Sequence, residues 1–279
     1  MPTRSVARIV SGRPASDGAG VQLLRVIGTA DLDHVDPVLL LDEFRSDRPD
    51  DYLAGFPDHP HRGFETVTYM LAGAMEHRDH AGNHGLLGPG SIQWMTAGRG
   101  IIHSEMPRQQ DGLMWGFQLW VNLPASHKMT APRYQDIPSD RVSTATVDGA
   151  TVRVLAGESL GLHGPVVGIV TEPLYLDVAL APGASFRQVL PPEHSAFVYV
   201  FEGEARVGEP ASPLKRGSLA VLGPGDSVLV SAGDAPARLL LLAARPLKEP
   251  IARYGPFVMN TRAEIAQAFQ DLQNGTFLS

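Results

Sequence analysis

The chain contains no cysteine, which excludes disulfide bridges and thiolate metal sites. It also lacks any apolar run approaching the roughly 18 residues of a membrane-spanning helix. Its first twenty residues, MPTRSVARIVSGRPASDGAG, show no leader-type apolar stretch or cleavage site, so the expectation is a cytoplasmic protein without a membrane partner. Positive charge is in deficit: 23 Lys and Arg stand against 30 Asp and Glu, a net charge of −7. That balance lacks the broad positive field of a non-specific nucleic-acid binder. What the chain has in excess is turn residues, 29 Gly and 23 Pro in 279. That is roughly a fifth of the chain, against about 12% in ordinary proteins. With 43% hydrophobic residues a core is assured. A disordered chain and a helical bundle are both excluded in favour of many short elements joined by tight turns.

Those elements read as strands. SVARIV (5–10), VQLLRVIG (21–28), PVLLLDEF (37–44), ETVTYMLAG (65–73), SIQWMTAG (91–98) and WGFQLWVNL (115–123) are bounded by Gly, Pro, Asn or Asp. After residue 150, TVRVLAG, PLYLDVAL, AFVYVFEG, SLAVLGPG, SVLVSAG and ARLLLLAA continue the series. Such spacing predicts an all-β sandwich or barrel. Only the tail reads as helix: Asn260 or Thr261 caps it, Thr261 and Glu264 have capping-box spacing, and Ile265, Phe269 and Leu272 share a face that Gly275 ends. The polar, proline-broken stretch 131–150 reads as a crossover between two units. The halves also resemble each other. Glu65–Gly73 aligns with Ser195–Gly203 at an offset of 130, and Gly90–Gly98 with Gly217–Gly225 at 127, which predicts a duplicated β-barrel.

Six of the ten histidines, His59, His61, His77, His80, His84 and His103, fall within 45 residues. Neutral imidazole is the commonest protein ligand for borderline transition metals. In His59-Pro60-His61 the two rings share one strand face, and Glu65 has the same parity. His103-Ser104-Glu105 supplies a second same-face pair that an antiparallel fold brings alongside the first. Three His with one Glu suit Fe(II), Mn, Ni, Cu or Zn and leave positions open for substrate. His77, His80 and His84, in the Gly-containing run EHRDHAGNHG, read as solvated turn residues. His34, His127, His163 and His194 stand alone, as structural or exposed residues. Arg62 and Arg99, beside the metal motifs, read either as steering an anionic substrate or as pairing with acidic residues.

The pattern His59-x-His61-x3-Glu65, then Gly90-x5-Thr96-x-Gly98 and a later His, resembles the two cupin motifs. HPHRGFETVTYMLAG (59–73), GPGSIQWMTAGRGIIHSEMP (88–107), QLWVNLPASHKMTAPRYQ (118–135), DPVLLLDEF (36–44) and GPFVMN (255–260) resemble the pirin family more specifically. The resemblance implies two tandem cupin barrels with a short C-terminal helix. Residues 1–135 would form a metal-binding barrel, and 136–279 a metal-free barrel with the helix. It implies His59, His61, His103 and Glu105 as ligands, whereas the general cupin pattern uses Glu65. The run GRGIIHSEM favours Glu105, leaving Glu65 either to orient a ligand or water or to pair with Arg62 or Arg99; either carboxylate serves as general base. At the same offsets the second half carries Val189, Pro191, Val230 and Ala232, so no ligand set is expected there.

The implied activity is that of a quercetin 2,3-dioxygenase: a divalent metal, Fe(II) first, with a flavonol-like substrate and O2. The alternative is a metal-dependent, redox-sensitive regulator that binds a partner protein. Candidate walls for a flat substrate are Phe56, Met70, Trp94, Met95, Met106, Trp115 and Phe117.

Overall fold

The computed structural model describes residues 2–278. Among the described residues the regular structure is β-strand apart from short 3-10 turns and one α-helix, Arg262–Gln273. No helix among the described residues is long and apolar enough to cross a membrane.

The chain forms two compact units. One combines Pro14–Arg25, Val38–Ser139 and the segment from Leu247 on; it holds the clustered histidines and is called the histidine unit here. The other, the sister unit, combines the segment up to Arg13 with Val26–Pro37 and Asp140–Pro246. A single division at 135/136 therefore does not describe the packing. The N-terminal strand belongs with the second half, and the helix belongs with the first. The reason is local bonding. Val6–Ser11 pairs with Ser218–Leu222, while Arg62 reaches Asp271 and the Phe277 carbonyl. The 131–150 stretch is where the chain passes from one unit to the other. It also contains two strands, Arg133–Ile137 and Ser143–Val147, one in each unit's large sheet.

Both units repeat one plan. In the histidine unit the seven-stranded sheet runs, in spatial order, Arg133–Ile137, Ile92–Thr96, Phe64–Ala72, Met114–Asn122, Val38–Ser46, Val21–Ile27 and Arg13–Asp17. The sister sheet runs Val6–Ser11, Ser218–Leu222, Ser195–Glu202, Ala237–Ala244, Leu174–Leu180, Ala150–Ala156 and Ser143–Val147. A four-stranded sheet accompanies each. These are Phe56–His61, Ile101–Pro107, Met75–Asp79 and His84–Leu87 in the first, and Ser185–Val189, Ser227–Ala232, Glu204–Val207 and Ser212–Lys215 in the second. The sister unit's core, from Val152 and Val154 to Val230 and Leu241, draws on both its sheets and is apolar.

The helix forms as its sequence indicates. Thr261 Oγ1 accepts from the Glu264 amide, and Glu264 returns a bond to the Thr261 amide, so two free helix-start donors are satisfied. Ile265, Phe269 and Leu272 pack on Phe257, Met259 and Phe277.

Two buried cations then fix the turn that follows the first histidine pair. Gly63 sits at φ +89, and a Cβ there would lie 2.0 Å from the Val258 carbonyl, so no other residue fits. Its own carbonyl accepts from Lys128 Nζ at 2.8 Å, which also donates to Asn122 Oδ1 at 2.8 Å and Val258 O at 2.9 Å. Burial pulls the Lys128 pKa down to about 8. Arg62 is buried and donates to the Arg99 and Phe277 carbonyls and, at 2.6 Å, to Asp271. It is thus an anchor rather than a group that steers substrate.

Candidate metal centre

Phe56–His61 and Ile101–Pro107 pair antiparallel, with His103 opposite His59 and Ile101 opposite His61. Side chains alternate across a strand, so His59, His61 and His103 leave the small sheet on one face. Their ring centroids lie 4.6, 4.5 and 5.1 Å apart, taken as 59–61, 59–103 and 61–103. One ligand nitrogen from each falls within 4.8 Å of the other two.

The three rings are prepared differently. The Pro57 carbonyl lies 2.7 Å from His59 Nδ1 and accepts a hydrogen bond from it, so Nε2 is the ring nitrogen available as a ligand. His103 is fully buried, and among the described residues neither of its ring nitrogens has a hydrogen-bond partner; His61 Nδ1 is likewise buried and unpartnered. Burial, more than the neighbouring imidazoles, holds both of these rings well below the usual histidine pKa and hence neutral. Buried, neutral nitrogens without partners are costly unless something accepts their lone pairs. Two such nitrogens, with His59 beside them, make a set of three imidazoles that suits a borderline divalent transition metal.

The carboxylates separate. Glu105 is buried on the small sheet and lines the same cavity as His59 and His61. Thr68 Oγ1 donates to its Oε1 at 2.9 Å and lies 2.7 Å from the Gln118 amide oxygen. Its oxygens are not in the close three-histidine group. Glu65 lies elsewhere. Thr68 and Phe64 face the histidines' side, so Glu65, of opposite parity on the same strand, faces the other side of the large sheet. There Thr96 Oγ1 donates to Glu65 Oε1 at 2.7 Å, and burial raises the Glu65 pKa. Parity counted from His61 fails because the Arg62–Gly63 turn intervenes and Phe64 starts a strand of the other sheet.

His77 is not a solvated turn residue. It is buried in Met75–Asp79, directly opposite Glu105 in the ladder, and stacks on Tyr134 at 5.5 Å. Gln93 Nε2 is 2.7 Å from its ring nitrogens, and the Asp136 carboxylate is 3.5 Å away. His84 is exposed in the next strand and pairs with Glu76 at 2.6 Å, while His80 lies in the connection between the two strands. The polar composition of 76–85 hid this hairpin, because one face of a short strand pair is polar.

The register also corrects the second-half comparison. Phe186 pairs with Val230 as His59 pairs with His103, so the sister positions for His59 and His61 are Phe186 and Gln188 rather than Val189 and Pro191. The connection at 190–194 is three residues longer than that at 62–63, and the offset rises from 127 to 130 across it. The sister positions still carry no set of ligands; Gln188 bonds Ser159.

A cavity of about 690 Å³ opens beside the histidines. Among the expected wall residues only Phe56 lines it; the other wall groups include Phe44, Trp120, Arg25, Asp42 and Arg253. Trp120 meets the His61 ring edge-on at 5.3 Å and carries the Arg253 guanidinium 4.7 Å from its own ring centroid. Arg253 comes from a distant segment, so no local motif announced it.

Both halves of the chain match known proteins. A family model described as Pirin matches residues 20–121, and one described as Pirin C-terminal cupin domain matches 175–278. A Pirin-like protein from Caulobacter vibrioides is 51% identical over 279 residues, covering 99% of this chain and 100% of its own. Human Pirin is 45% identical over 277 residues, covering 98% and 93%. The crystal structure of a quercetin 2,3-dioxygenase from Acinetobacter baumannii superimposes with a TM-score of 0.91 at 33% identity over 99% of both chains.

Proposed function

The chain belongs to the pirin family, with two cupin domains, and from that premise we propose that it is a metal-dependent dioxygenase of the quercetin 2,3-dioxygenase type. The observation that carries this reading is the convergence of His59, His61 and His103 beside a cavity lined by aromatic rings. The similarity to the Acinetobacter enzyme supports it.

In this reading the three histidines hold one divalent metal, Fe(II) first, with Glu105 as fourth ligand or proton acceptor. A bound divalent metal supplies Lewis acidity toward a substrate hydroxyl and a place for O2. The rest falls to the chain. The Pro57 carbonyl fixes the tautomer of His59. Thr68 holds the Glu105 carboxylate toward the cavity, where it takes the hydroxyl proton as general base. Trp120, Phe44 and Phe56 present the apolar surface against which a flat ring system lies and from which water is excluded.

The test is aerobic incubation of protein loaded in turn with Fe(II), Mn or Ni with quercetin, following flavonol absorbance and oxygen uptake. The reading expects coupled loss of both, abolished in His61→Ala. No turnover with any of the three metals contradicts it.

A further inference from the structure

A polar row crosses the inner face of the large sheet in the histidine unit. Gln93 pairs with Thr68, Thr68 with Gln118 and Gln118 with Asp42. Arg25, on the next strand, closes on Asp42 through Nε at 2.9 Å and Nη2 at 2.7 Å. The sister sheet offers an internal control. Its matching row is Ala220, Val198, Leu241 and Leu176, joined by the same ladder, with Val154 on the next strand, and all five are buried in its apolar core. The fold therefore does not need polar groups at these positions. A buried ion pair is weak support for stability, and apolar replacements of similar volume are often neutral or better.

Gln118, Asp42 and Arg25 line the same cavity as His59, His61 and Glu105. Each Asp42 oxygen takes one bond from Arg25 and keeps further acceptor capacity. Arg25 Nη2 also binds Asp17 at 2.6 Å, while Nη1 makes no hydrogen bond among the described residues. The pair thus presents an acceptor and a donor side by side. Four carboxylates, Asp17, Asp42, Asp58 and Glu105, line the cavity against two guanidiniums, Arg25 and Arg253, and a divalent metal on the three histidines would bring these charges into balance, which favours a neutral ligand.

We propose that Gln118, Asp42 and Arg25 form a hydroxyl-recognition subsite, selecting a neutral, flat aromatic substrate with a phenolic hydroxyl remote from the one directed at the histidines. This deepens the proposed function and rests on its placement of substrate in the cavity. A phenol donates to Asp42 and accepts from Arg25, and an analogue without that hydroxyl leaves both desolvated and unpaired.

The test transplants the sister row. Wild type, Arg25→Val/Asp42→Leu and the isosteric Asp42→Asn are loaded with metal without oxygen. Binding of quercetin and of 3-hydroxyflavone, which lacks the other hydroxyls, is read from quenching of tryptophan fluorescence. The subsite predicts at least about a tenfold preference of wild type for quercetin, roughly the worth of one well-placed charged hydrogen bond. It predicts that the preference falls below about threefold in both variants at unchanged metal stoichiometry. Equal binding of the two compounds by wild type, or a preference that survives both variants, overturns the subsite and leaves the dioxygenase reading standing. Binding of neither compound by wild type overturns the placement of substrate in the cavity, and the subsite with it.

Discussion

His59 and His103 are register partners across two antiparallel strands, their rings 4.5 Å apart, and the equivalent partners in the sister sheet are Phe186 and Val230. One ladder thus serves two purposes in a single chain. In the sister unit it closes an apolar core, and in the histidine unit it aims imidazole nitrogens at a common point.

His103→Ala should remove metal without unfolding the protein. The side chain is fully buried and its ring nitrogens make no hydrogen bond among the described residues, so its loss breaks no other network there. Elemental analysis is expected to fall from about one metal per chain to near zero, with the far-ultraviolet dichroism of a β protein retained. Chelation should then lower the melting temperature of wild type but not of the variant. Metal at a thousandfold excess over its Kd contributes about 4 kcal/mol to the folded state.

The two candidate carboxylates should behave differently. Glu105 lines the cavity and Glu65 faces the opposite side of the sheet. Glu105→Gln is expected to weaken metal retention or turnover by tenfold or more, and Glu65→Gln by less than about twofold. Metal titration of the two variants side by side checks the ranking.

Glu65 instead sets a pH dependence of stability. Burial raises its pKa above the usual 4.5 and outweighs the hydrogen bond from Thr96. The folded state therefore keeps this proton to higher pH than the unfolded chain does. The contribution is fully present below the usual carboxylate value and is lost as pH rises through the folded value. Urea unfolding across that range should show wild type losing stability relative to Glu65→Gln, with a limiting slope of about 1.4 kcal/mol per pH unit. A constant difference between the two would assign no titration to Glu65.

Arg62→Met should loosen the C-terminal segment. Arg62 is buried, pairs with Asp271 at 2.6 Å and lies over the Phe277 ring at 4.4 Å. Removing one partner of a largely buried pair costs about 3 kcal/mol. Hydrogen exchange should quicken first in Arg262–Gln273, because that helix docks through this contact.

The all-β architecture, the duplication and the histidine pairs were legible because strand period, turn residues and same-face parity are local properties. Glu65 was misplaced because parity carries no information across a turn into another sheet. His77 was misread because a polar hairpin and a polar loop have the same composition. The cavity wall was largely invisible for a third reason. Arg25, Trp120 and Arg253 meet only through the folding of segments more than 90 residues apart, and no spacing rule reaches that far.

The central claim is that three imidazoles share one metal. X-ray absorption at the metal edge of the loaded protein tests it most directly. The account predicts a shell containing three imidazole nitrogens at about 2.0–2.2 Å, losing one in each of His59→Ala, His61→Ala and His103→Ala that still retains metal. A shell of oxygen scatterers alone, or one unchanged in all three variants, would contradict it.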